Sequence, residues 1–493
     1  MLVTLSFGKQ LSEKDINNIT YRYYTVNIDD DLKQRIEATR QFVDDLTNNG
    51  KIVYGINTGF GSLSETIVDN KDIEQLQINL IKSHAIGTGE SIDIHIVRLM
   101  MLFRLQCFCQ CHSGVSMNTV NMLIDALNKN FIPQVFTQGS VGASGDLVPL
   151  SHMTLGLMGF GNAYDKESNT YIDANIVLEK LNMKSLILKS KEGLALNNGT
   201  QFITANLYHA LQKAHNAFNY AVLIGAMTFE VLHGTKLAFD ENIHESKPHE
   251  GQIHVASMLR NLLSDSEIDS GNKVQDAYSL RCQPQILGPV YDELCQIKNT
   301  VLTEINSAND NPLIFDYKIL SGGNFHGMYI ALAADKLALI MSIVCNLSER
   351  RLERIVNPDL NKFLPKFLAK NSGLNSGCMI MQYASASITA ENRQLANPAC
   401  IHNIPTSCGQ EDIVSMGAWC ARKANQVVDN TVKVLAYELL TAYYASFYTK
   451  EKYSTSTQKF IDQISELGIN ELDEDRYMKP DLDKVIELII DNA

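Results

Sequence analysis

GSVGASGDLVPLSH, at residues 139–152, places a serine among closely spaced glycines. A serine in such a setting first suggests the nucleophile elbow of a hydrolase, whose pattern is G-x-S-x-G. Here Ser144 is followed directly by Gly145 and Asp146, so the match fails by one position. The phosphate-loop pattern fails as well, because no G-K-[ST] follows the glycines. The segment therefore indicates neither a hydrolase nor a nucleotide-binding loop.

The tripeptide Ala143-Ser144-Gly145 permits a reaction of the backbone itself. If the chain bends tightly, the Gly145 nitrogen, which no side chain hinders, can attack the Ala143 carbonyl carbon and close a five-membered ring. Loss of that carbonyl oxygen and of the Ser144 hydroxyl as water leaves an exocyclic methylene, which is a strong electrophile. Each residue type then has a chemical reason: alanine is small, serine has a hydroxyl that can be eliminated, and glycine lacks a Cβ.

Eight further segments combine with this tripeptide into a pattern that covers nearly the whole chain. They are YGINTGFG (54–61), SHAIGTGE (83–90), EGLALNNGTQ (192–201), VQDAYSLRCQPQ (274–285), NSANDNPL (306–313), SGGNFHG (321–327), LSERR (347–351) and QEDIVSMG (410–417). With them the chain resembles the aromatic amino acid ammonia-lyases, whose Ala-Ser-Gly cyclises to a 4-methylidene-imidazol-5-one group (MIO). The resemblance implies a mainly α-helical homotetramer with active sites drawn from three subunits. It also implies that MIO, formed from Ala143-Ser144-Gly145, replaces any external cofactor.

Helical periodicity dominates the chain after a short N-terminal part that is rich in β-branched and aromatic residues. We expect short β or irregular structure at 3–7 and 19–23 and small strands within 169–190. Helices are expected at 71–86, 92–111, 116–128, 202–232, 290–308, 326–356, 381–396 and 411–448. Several exceed twenty residues, which favours a long antiparallel helix bundle; the resemblance implies one of the ammonia-lyase and fumarase type. The predicted organisation is a small mixed α/β N-terminal region with the catalytic loops at 1–200, and a long-helix bundle at 201–493 that completes the active site.

The composition of the 493-residue chain limits its partners. Its 42 Lys and Arg against 55 Asp and Glu give a net charge of −13, which disfavours a nucleic acid, because phosphate binding needs a basic face. The N-terminus does not resemble a secretory signal, and the longest apolar run, at 337–347, is shorter than the ~20 residues that span a bilayer. We therefore expect no membrane partner and a cytoplasmic location, where the ten cysteines stay reduced. No metal site is expected, since Cys107 and Cys109 point to different faces of a helix.

The resemblance also assigns roles to residues outside the tripeptide. Tyr54 is the base that removes the substrate β-proton; it emerges from a brief predicted strand into a loop with three glycines, which can close over a ligand. Because the active sites combine subunits, Tyr54 is expected to serve the ring of a neighbouring subunit. On this segment alone, an ordinary glycine turn with a packed tyrosine is an equal alternative. Arg281 is the clamp for the substrate α-carboxylate, since a guanidinium binds a carboxylate through two parallel hydrogen bonds.

Five more side chains complete the site that the resemblance implies. Asn198, Gln275 and Tyr278 are expected to hydrogen-bond the MIO carbonyl or the substrate amine and carboxylate, the support that an electrophile needs. Asn324 and Phe325 are expected to wall the prosthetic group, and for Phe325 a place in the core fits the sequence equally well. Taken together, the catalytic residues that the resemblance implies are Tyr54, Ala143, Ser144, Gly145 and Tyr278.

Substrate choice rests on His84 and Glu411. Histidine-specific members of the family carry these two residue types, between which an imidazole can be hydrogen-bonded from both ends. Phenylalanine lyases typically place an apolar residue and Gln there, and tyrosine lyases keep the His but usually lack the Glu. The resemblance therefore predicts non-oxidative deamination of L-histidine to trans-urocanate and ammonia. A structural ion pair is the alternative role for Glu411.

Three other functions stay open at this point. Tyrosine ammonia-lyase activity is one, because Ile413 stands where tyrosine lyases often carry an apolar residue. An aromatic aminomutase would use the same electrophile and return the ammonia to the β-carbon. A helical scaffold without chemistry is the third, and the intact Ala-Ser-Gly together with Tyr54 and Arg281 argues against it.

Overall fold

The computed structural model describes residues 1–49, 52–63, 65–268, 270, 273–316 and 318–491. These residues form a mainly α-helical fold with short two-stranded sheets, which confirms the predicted fold class. The helices are α1 (Glu13–Thr20), α2 (Asp30–Asn48), α3 (Ile73–His84), α4 (Ile94–Phe108), α5 (Met117–Lys129), α6 (Leu147–Leu157), α7 (Ala174–Lys180), α8 (Glu192–Asn197), α9 (Gln201–Val231), α10 (Glu241–Glu245), α11 (Glu250–Leu262), α12 (Tyr278–Arg281), α13 (Gln283–Ile305), α14 (Met328–Val356), α15 (Pro358–Asn361), α16 (Met379–Leu395), α17 (Gly417–Ser446), α18 (Thr455–Glu466) and α19 (Lys479–Asp491).

The strands of the described residues pair two by two. They are β1 (Leu2–Leu5), β2 (Thr25–Ile28), β3 (Thr88–Ser91), β4 (Phe136–Gln138), β5 (Asn162–Asp165), β6 (Thr170–Asp173), β7 (Leu313–Phe315) and β8 (Lys318–Leu320). β1 and β2 are parallel, whereas β3 with β4, β5 with β6 and β7 with β8 are antiparallel. Such small sheets fasten the ends of loops and do not form a separate layer of the fold.

The helices expected from periodicity are all present. α3, α4, α5, α9, α14 and α16 begin and end within three residues of their predictions. α13 begins seven residues before its prediction and runs through Pro289. Leu287, Val290 and Leu294 are buried along one face of α13, and this packing outweighs the hydrogen bond that the proline cannot make. α17 begins six residues late, because 411–416 belong to a loop at the site.

The N-terminal part contains one error of the sequence analysis. β1 is present as expected, but the short β or irregular structure expected at 19–23 is wrong for its first two residues, which end α1, and β2 follows only later. Ser12 and Asp15 form a capping box at the start of α1, and Ile16 and Ile19 are fully buried on one of its faces. These contacts outweigh the local β propensity, which is a weak and context-dependent preference.

The small strands expected within 169–190 are present only in part. β6 lies in this range, but its hairpin partner β5 lies before it, and α7 begins directly after it. The Asp173 side chain accepts a hydrogen bond from the Asn175 backbone N–H and thereby caps α7. The cap explains why the chain turns helical at the end of β6.

The chain forms two compact units, each assembled from three stretches of sequence. Unit 1 consists of Met1–His209, Lys298–Ala334 and Pro398–Arg422, and unit 2 of Ala210–Ile297, Asp335–Asn397 and Lys423–Ala493. The predicted boundary at residue 200 lies near the end of the first stretch, but unit 1 also takes up two later stretches. Unit 1 thereby contains both the Ala-Ser-Gly tripeptide and Glu411.

Helix α14 is the one helix of the described ranges that is long and apolar enough to cross a membrane by length and composition. In the structure, 67% of its most apolar stretch is buried inside the protein. Burial of this kind is typical of a core helix, whose apolar residues contact other protein segments.

A charged pair is buried in unit 2 between α14 and α17. Arg351 donates two hydrogen bonds to Glu438, at 2.7 and 2.9 Å, and neither side chain is exposed. Gln283 accepts a further bond from Arg351 at 2.9 Å, and Thr228 donates to Glu438 at 2.7 Å. These bonds offset the desolvation of both charges and tie four helices of unit 2 together.

Loss of one member of this buried pair should destabilise the protein far more than loss of one member of an exposed ion pair. Glu438→Ala leaves the Arg351 guanidinium buried without its carboxylate, so we expect the free energy of unfolding to fall by about 3–5 kcal/mol. Asp483→Ala removes the partner of the exposed Lys479 and should change the free energy of unfolding far less, because solvent screens this pair. Urea denaturation followed by circular dichroism measures both variants, and equal losses would contradict the role given to Glu438.

Candidate active site

Ser144 lies on the walls of two adjoining cavities in unit 1, of about 500 and 450 Å³. Volumes in this range are typical of small-molecule sites. The two cavities share Tyr54, Gly61, Ser144, Asn198 and Glu411. The first also contacts Ala143, Phe325 and Ile413, and the second also contacts Leu80, Ser83, His84 and Leu194. Residues from five distant segments therefore converge on Ser144.

The turn at Ser144 is set by the close approach of two glycines. Gly145 has φ = +72° and forms a parallel bridge with Gly199, and the next amide, of Asp146, donates to the Gly199 oxygen at 2.7 Å. A Cβ on residue 145 would lie 2.3 Å from that oxygen. Only glycine suits both this space and the positive φ, so an unhindered backbone nitrogen follows Ser144.

Asn198 holds this turn through its side chain. Its Nδ2 donates to the Ser144 carbonyl oxygen at 2.9 Å, and its own carbonyl oxygen accepts from Arg104 at 3.0 Å. Arg104, on α4, is fully buried and also donates to the side-chain oxygen of Gln201. Oδ1 of Asn198 is buried and has no hydrogen-bond partner in the part of the chain that the structure describes. Asn198 is therefore oriented by its backbone and presents one unpaired acceptor at the cavities.

The Glu411 carboxylate is held between two hydroxyl groups. Ser144 Oγ donates to Oε1 at 2.6 Å, and Thr406 Oγ1 donates to Oε2 at 2.6 Å. Both bonds have the short length of hydrogen bonds to a charged acceptor. In the described structure the partners of Glu411 are therefore hydroxyls rather than a cation, which argues against its alternative role in a structural ion pair.

His84 is the last residue of α3 and lines the second cavity together with Glu411. Ser83 Oγ lies 3.0 Å from His84 Nδ1. Burial lowers the pKa of His84, against smaller opposing effects that include the Glu411 charge. The imidazole is therefore neutral at physiological pH, so that one ring nitrogen is a donor and the other an acceptor.

Tyr54 lines the cavities of Ser144 in its own chain. This corrects the expectation that it serves a neighbouring subunit. Of the described residues directly before it, 52 and 53 belong to no strand, and residues 54–56 form a turn. Two of the three loop glycines adopt positive φ, and one of them, Gly61, donates its N–H to the Tyr54 hydroxyl at 3.3 Å. The loop thus folds back on itself, which holds the phenol at the cavities.

The SGGNFHG segment agrees with its predicted place in part. Phe325 lines the first cavity, where the sequence analysis expected a wall. Asn324 instead lines a separate open cavity of about 600 Å³, and its Nδ2 donates to Ala308 O at 3.0 Å. Among the described residues nothing lies within 4 Å of a Cβ placed at Gly322 or Gly323, so neither position requires glycine for space.

Two residues at the site were missed by the sequence analysis. His326 lines the first cavity and the open cavity, and its Nε2 lies 3.2 Å from Ile413 O. Its position directly after Phe325 in a recognised motif was a usable signal. Thr406, which contacts Glu411, precedes the QEDIVSMG segment and carried no such signal.

Three predicted site residues lie outside these cavities. Gln275, Tyr278 and Arg281 belong to unit 2, whereas the residues that line the cavities of Ser144 belong to unit 1. Tyr278 is 67% exposed, and the Arg281 guanidinium lies 4.9 Å from the centre of its ring. The Nε atom of Arg281 is buried without a hydrogen-bond partner among the described residues. The roles predicted for these three residues stay predictions.

Known structures identify the class of the fold first. The protein superimposes on a histidine ammonia-lyase from Trypanosoma cruzi with a TM-score of 0.92 and 38% sequence identity. The superposition covers 99% of this chain and 93% of that one. A phenylalanine aminomutase from Pantoea agglomerans gives a TM-score of 0.95 with 31% identity, over 99% of this chain and 98% of that one. The fold is therefore that of enzymes whose substrates are aromatic amino acids.

Sequence comparison then identifies the family. The model of the aromatic amino acid lyase family matches residues 11–466. A histidine ammonia-lyase from Natranaerobius thermophilus is 43% identical over 490 residues, which cover 98% of this chain and 96% of that protein. The chain belongs to the aromatic amino acid lyase family, as the resemblance of its motifs predicted.

A buried acid lies directly behind the tripeptide. Asp146 is fully buried, its Oδ2 accepts from Ile203 N at 2.9 Å, and its Oδ1 has no hydrogen-bond partner in the described ranges. Burial raises the pKa of Asp146 to about 8. The folded protein therefore keeps this carboxyl protonated at neutral pH, next to the backbone that the tripeptide bends.

The raised pKa makes stability depend on pH in a defined direction. In the folded protein Asp146 keeps its proton, whereas in the unfolded chain it releases the proton above about pH 4. The free energy of unfolding should therefore fall as the pH rises from about 4 towards about 8. Asp146→Asn cannot ionise, so its stability relative to the wild type should increase across this window. Urea denaturation of both proteins between about pH 5 and about pH 8 measures the difference. A difference that stays constant with pH would contradict this assignment.

Proposed function

We propose that this protein removes ammonia from L-histidine without oxidation and releases trans-urocanate. The observation that carries the proposal is the placement of His84 and Glu411 on the walls of cavities that also contain Ser144. A neutral imidazole and a carboxylate offer a donor and acceptors to the ring of a substrate histidine. A phenyl ring would leave both groups without a partner, which weakens its binding. The names of the curated relatives, histidine ammonia-lyases, support the same substrate.

The electrophile in this proposal is MIO, formed from Ala143, Ser144 and Gly145 without an external cofactor. Two observations support the fit of these residues to the group. Gly145 is held against Gly199 where a Cβ has no room, so its nitrogen is unhindered. Asn198 Nδ2 donates to the Ser144 carbonyl oxygen, the oxygen that a ring closed at this position retains. When present, MIO supplies an electrophilic carbon that makes the substrate amine a better leaving group.

The surrounding residues bind the substrate and move its proton. His84 and Glu411 hold the imidazole ring, which fixes the side chain of the substrate relative to Ser144. Tyr54 then removes the β-proton, for which its phenol oxygen lies on the same cavity walls and is oriented by the Gly61 N–H. Phe325 excludes water from the wall of the first cavity.

The remaining site residues come from other subunits in this proposal. Gln275, Tyr278 and Arg281 lie in unit 2, and the cavities of Ser144 are lined by unit 1. An exposed side chain at Tyr278, and at Arg281 a buried Nε with no partner in the described ranges, suit residues that complete the site of a neighbouring chain. Arg281 would then bind the α-carboxylate, while Gln275 and Tyr278 hydrogen-bond around the reacting centre.

An exposed apolar face supports a homotetramer as the assembly that brings these residues together. Leu332, Leu339 and Ile343 lie at helical spacing on α14 and are 49%, 53% and 38% exposed. Several large apolar side chains on one face of a helix are typical of a protein–protein contact. A second chain on this face would bury them.

Ile413 favours a second candidate, ammonia elimination from L-tyrosine. Its side chain is 60% exposed and lines the first cavity. An apolar group there suits a phenol ring as well as an imidazole. An aminomutase would use the same cavities, and a phenylalanine aminomutase shares the fold.

Separate incubations of the purified protein with L-histidine, L-tyrosine and L-phenylalanine test the proposal. We expect the ultraviolet absorbance of urocanate from L-histidine, and kcat/KM values at least about 100-fold lower for the other two, because neither ring satisfies both His84 and Glu411. Product from L-tyrosine alone would assign the second candidate. A β-amino acid would indicate an aminomutase, and no turnover of any of the three would indicate a scaffold.

Intact mass spectrometry tests the electrophile independently of the substrate. The purified protein should be lighter than its sequence mass by two waters, one from ring closure and one from the Ser144 hydroxyl. Ser144→Ala should not lose the second water, and its kcat should fall at least about 1,000-fold. An active protein with its full sequence mass would contradict the proposed electrophile.

A further inference from the structure

Glu411 stands at the end of a tight loop that Thr406 closes. Thr406 N donates to Glu411 O at 3.0 Å and Glu411 N donates to Thr406 O at 3.3 Å, so the two residues form an isolated antiparallel bridge. Between them Ser407 and Cys408 have positive φ values, +50° and +55°. Non-glycine residues rarely adopt this conformation, so the bridge holds a backbone that its own residues do not favour. The loop brings the side chains of Thr406 and Glu411 together.

The side chains of Thr406 and Glu411 are hydrogen-bonded to each other, as their backbones are. Thr406 Oγ1 donates to Glu411 Oε2, while Ser144 Oγ donates to Oε1, both at 2.6 Å. Under the proposed function the Ser144 hydroxyl is lost as water, and Oε1 then loses its donor. Thr406 remains as the side chain that fixes the carboxylate, and Oε1 becomes free to accept a hydrogen bond from a substrate.

We propose that Thr406 is a positioning residue for Glu411 and thereby determines which ring the enzyme accepts, an inference that rests on the proposed function. A glutamate side chain has several rotatable bonds, and holding it in one conformation costs entropy. The bridge fixes Thr406 before a substrate arrives, so its hydroxyl orders the carboxylate in advance. The N–H of an imidazole then meets an oriented acceptor at Oε1. Thr406 contacts Oε2 and acts on the substrate only through Glu411.

Thr406→Val tests this role, because valine keeps the shape of the side chain and the backbone bridge but has no hydroxyl. We expect kcat/KM for L-histidine to fall about tenfold or more, the effect of losing a hydrogen bond to a charged group. Thr406→Ser restores the hydroxyl and should recover most of the loss. Thr170→Val makes the same change at an exposed position of β6 that lines neither cavity, and as a matched control it should change kcat/KM by less than about twofold. All three variants should lose two waters and melt within about 2 °C of the wild type.

A double-mutant cycle with Glu411→Ala shows whether Thr406 acts through Glu411. If it does, Thr406→Val has little further effect once the Glu411 side chain is gone, and the two losses are not additive. Additive losses would overturn the inference. A wild-type kcat/KM in Thr406→Val, or no recovery in Thr406→Ser, would overturn it as well.

The same cycle separates a failure of this inference from a failure of the proposed function. If the wild type deaminates L-tyrosine and not L-histidine, the proposed substrate is wrong, and the cycle is run with L-tyrosine. Coupling of Thr406 and Glu411 then supports the positioning role, and additivity overturns it. If the wild type turns over neither, calorimetric titration with L-histidine replaces kinetics: a Kd about tenfold higher in Thr406→Val supports the inference. An unchanged Kd, or no binding by the wild type, overturns it.

Discussion

The contact between Gly145 and Gly199 is the constraint on which the site depends. The two backbones meet so closely that a Cβ on residue 145 would lie 2.3 Å from the Gly199 oxygen, to which the Asp146 N–H donates at 2.7 Å. This contact sets the bend at Ser144 and the start of α6, and it brings the amide of Asn198 to the Ser144 carbonyl. A side chain on residue 145 would push the two backbones apart and separate the serine from the group that faces its carbonyl.

Polar groups hold both sides of this contact. Behind it, Gln201 Nε2 donates to Asn309 at 2.6 Å, Asn309 donates to Thr200 at 3.0 Å, and Thr200 donates to Glu304 at 2.5 Å. Burial raises the pKa of Glu304, against the opposing effect of the hydrogen bonds that it accepts from Thr200 and Asn309. In front of it, the Glu411 carboxylate accepts from two hydroxyls. A connected polar network makes its surroundings rigid, so the reactive serine is positioned by groups that are themselves fixed.

The sequence predicted the long helices correctly, and its predictions failed where contacts between residues distant in sequence determine the local structure. The long helices carry a periodic apolar face, and such a face has one arrangement that buries it. The β or irregular structure expected at 19–23 was wrong for residues 19 and 20, because a capping box and two buried isoleucines stabilise α1 there. The start of α13 was missed because packing on either side of Pro289 outweighs a local rule about proline.

The sequence by itself determined the family, the helical fold and the chemistry available to Ala143-Ser144-Gly145, because these depend on residue types and their spacing. Only the tertiary structure decided which groups meet. Ser144 and Glu411 are 267 positions apart, yet a hydrogen bond joins them, and Tyr54 proved to share a cavity with the serine of its own chain. Thr406 gained its place beside Glu411 from the backbone bridge of a short loop. Such contacts depend on how distant segments pack in three dimensions, and the pattern of residue types along the chain does not specify that packing.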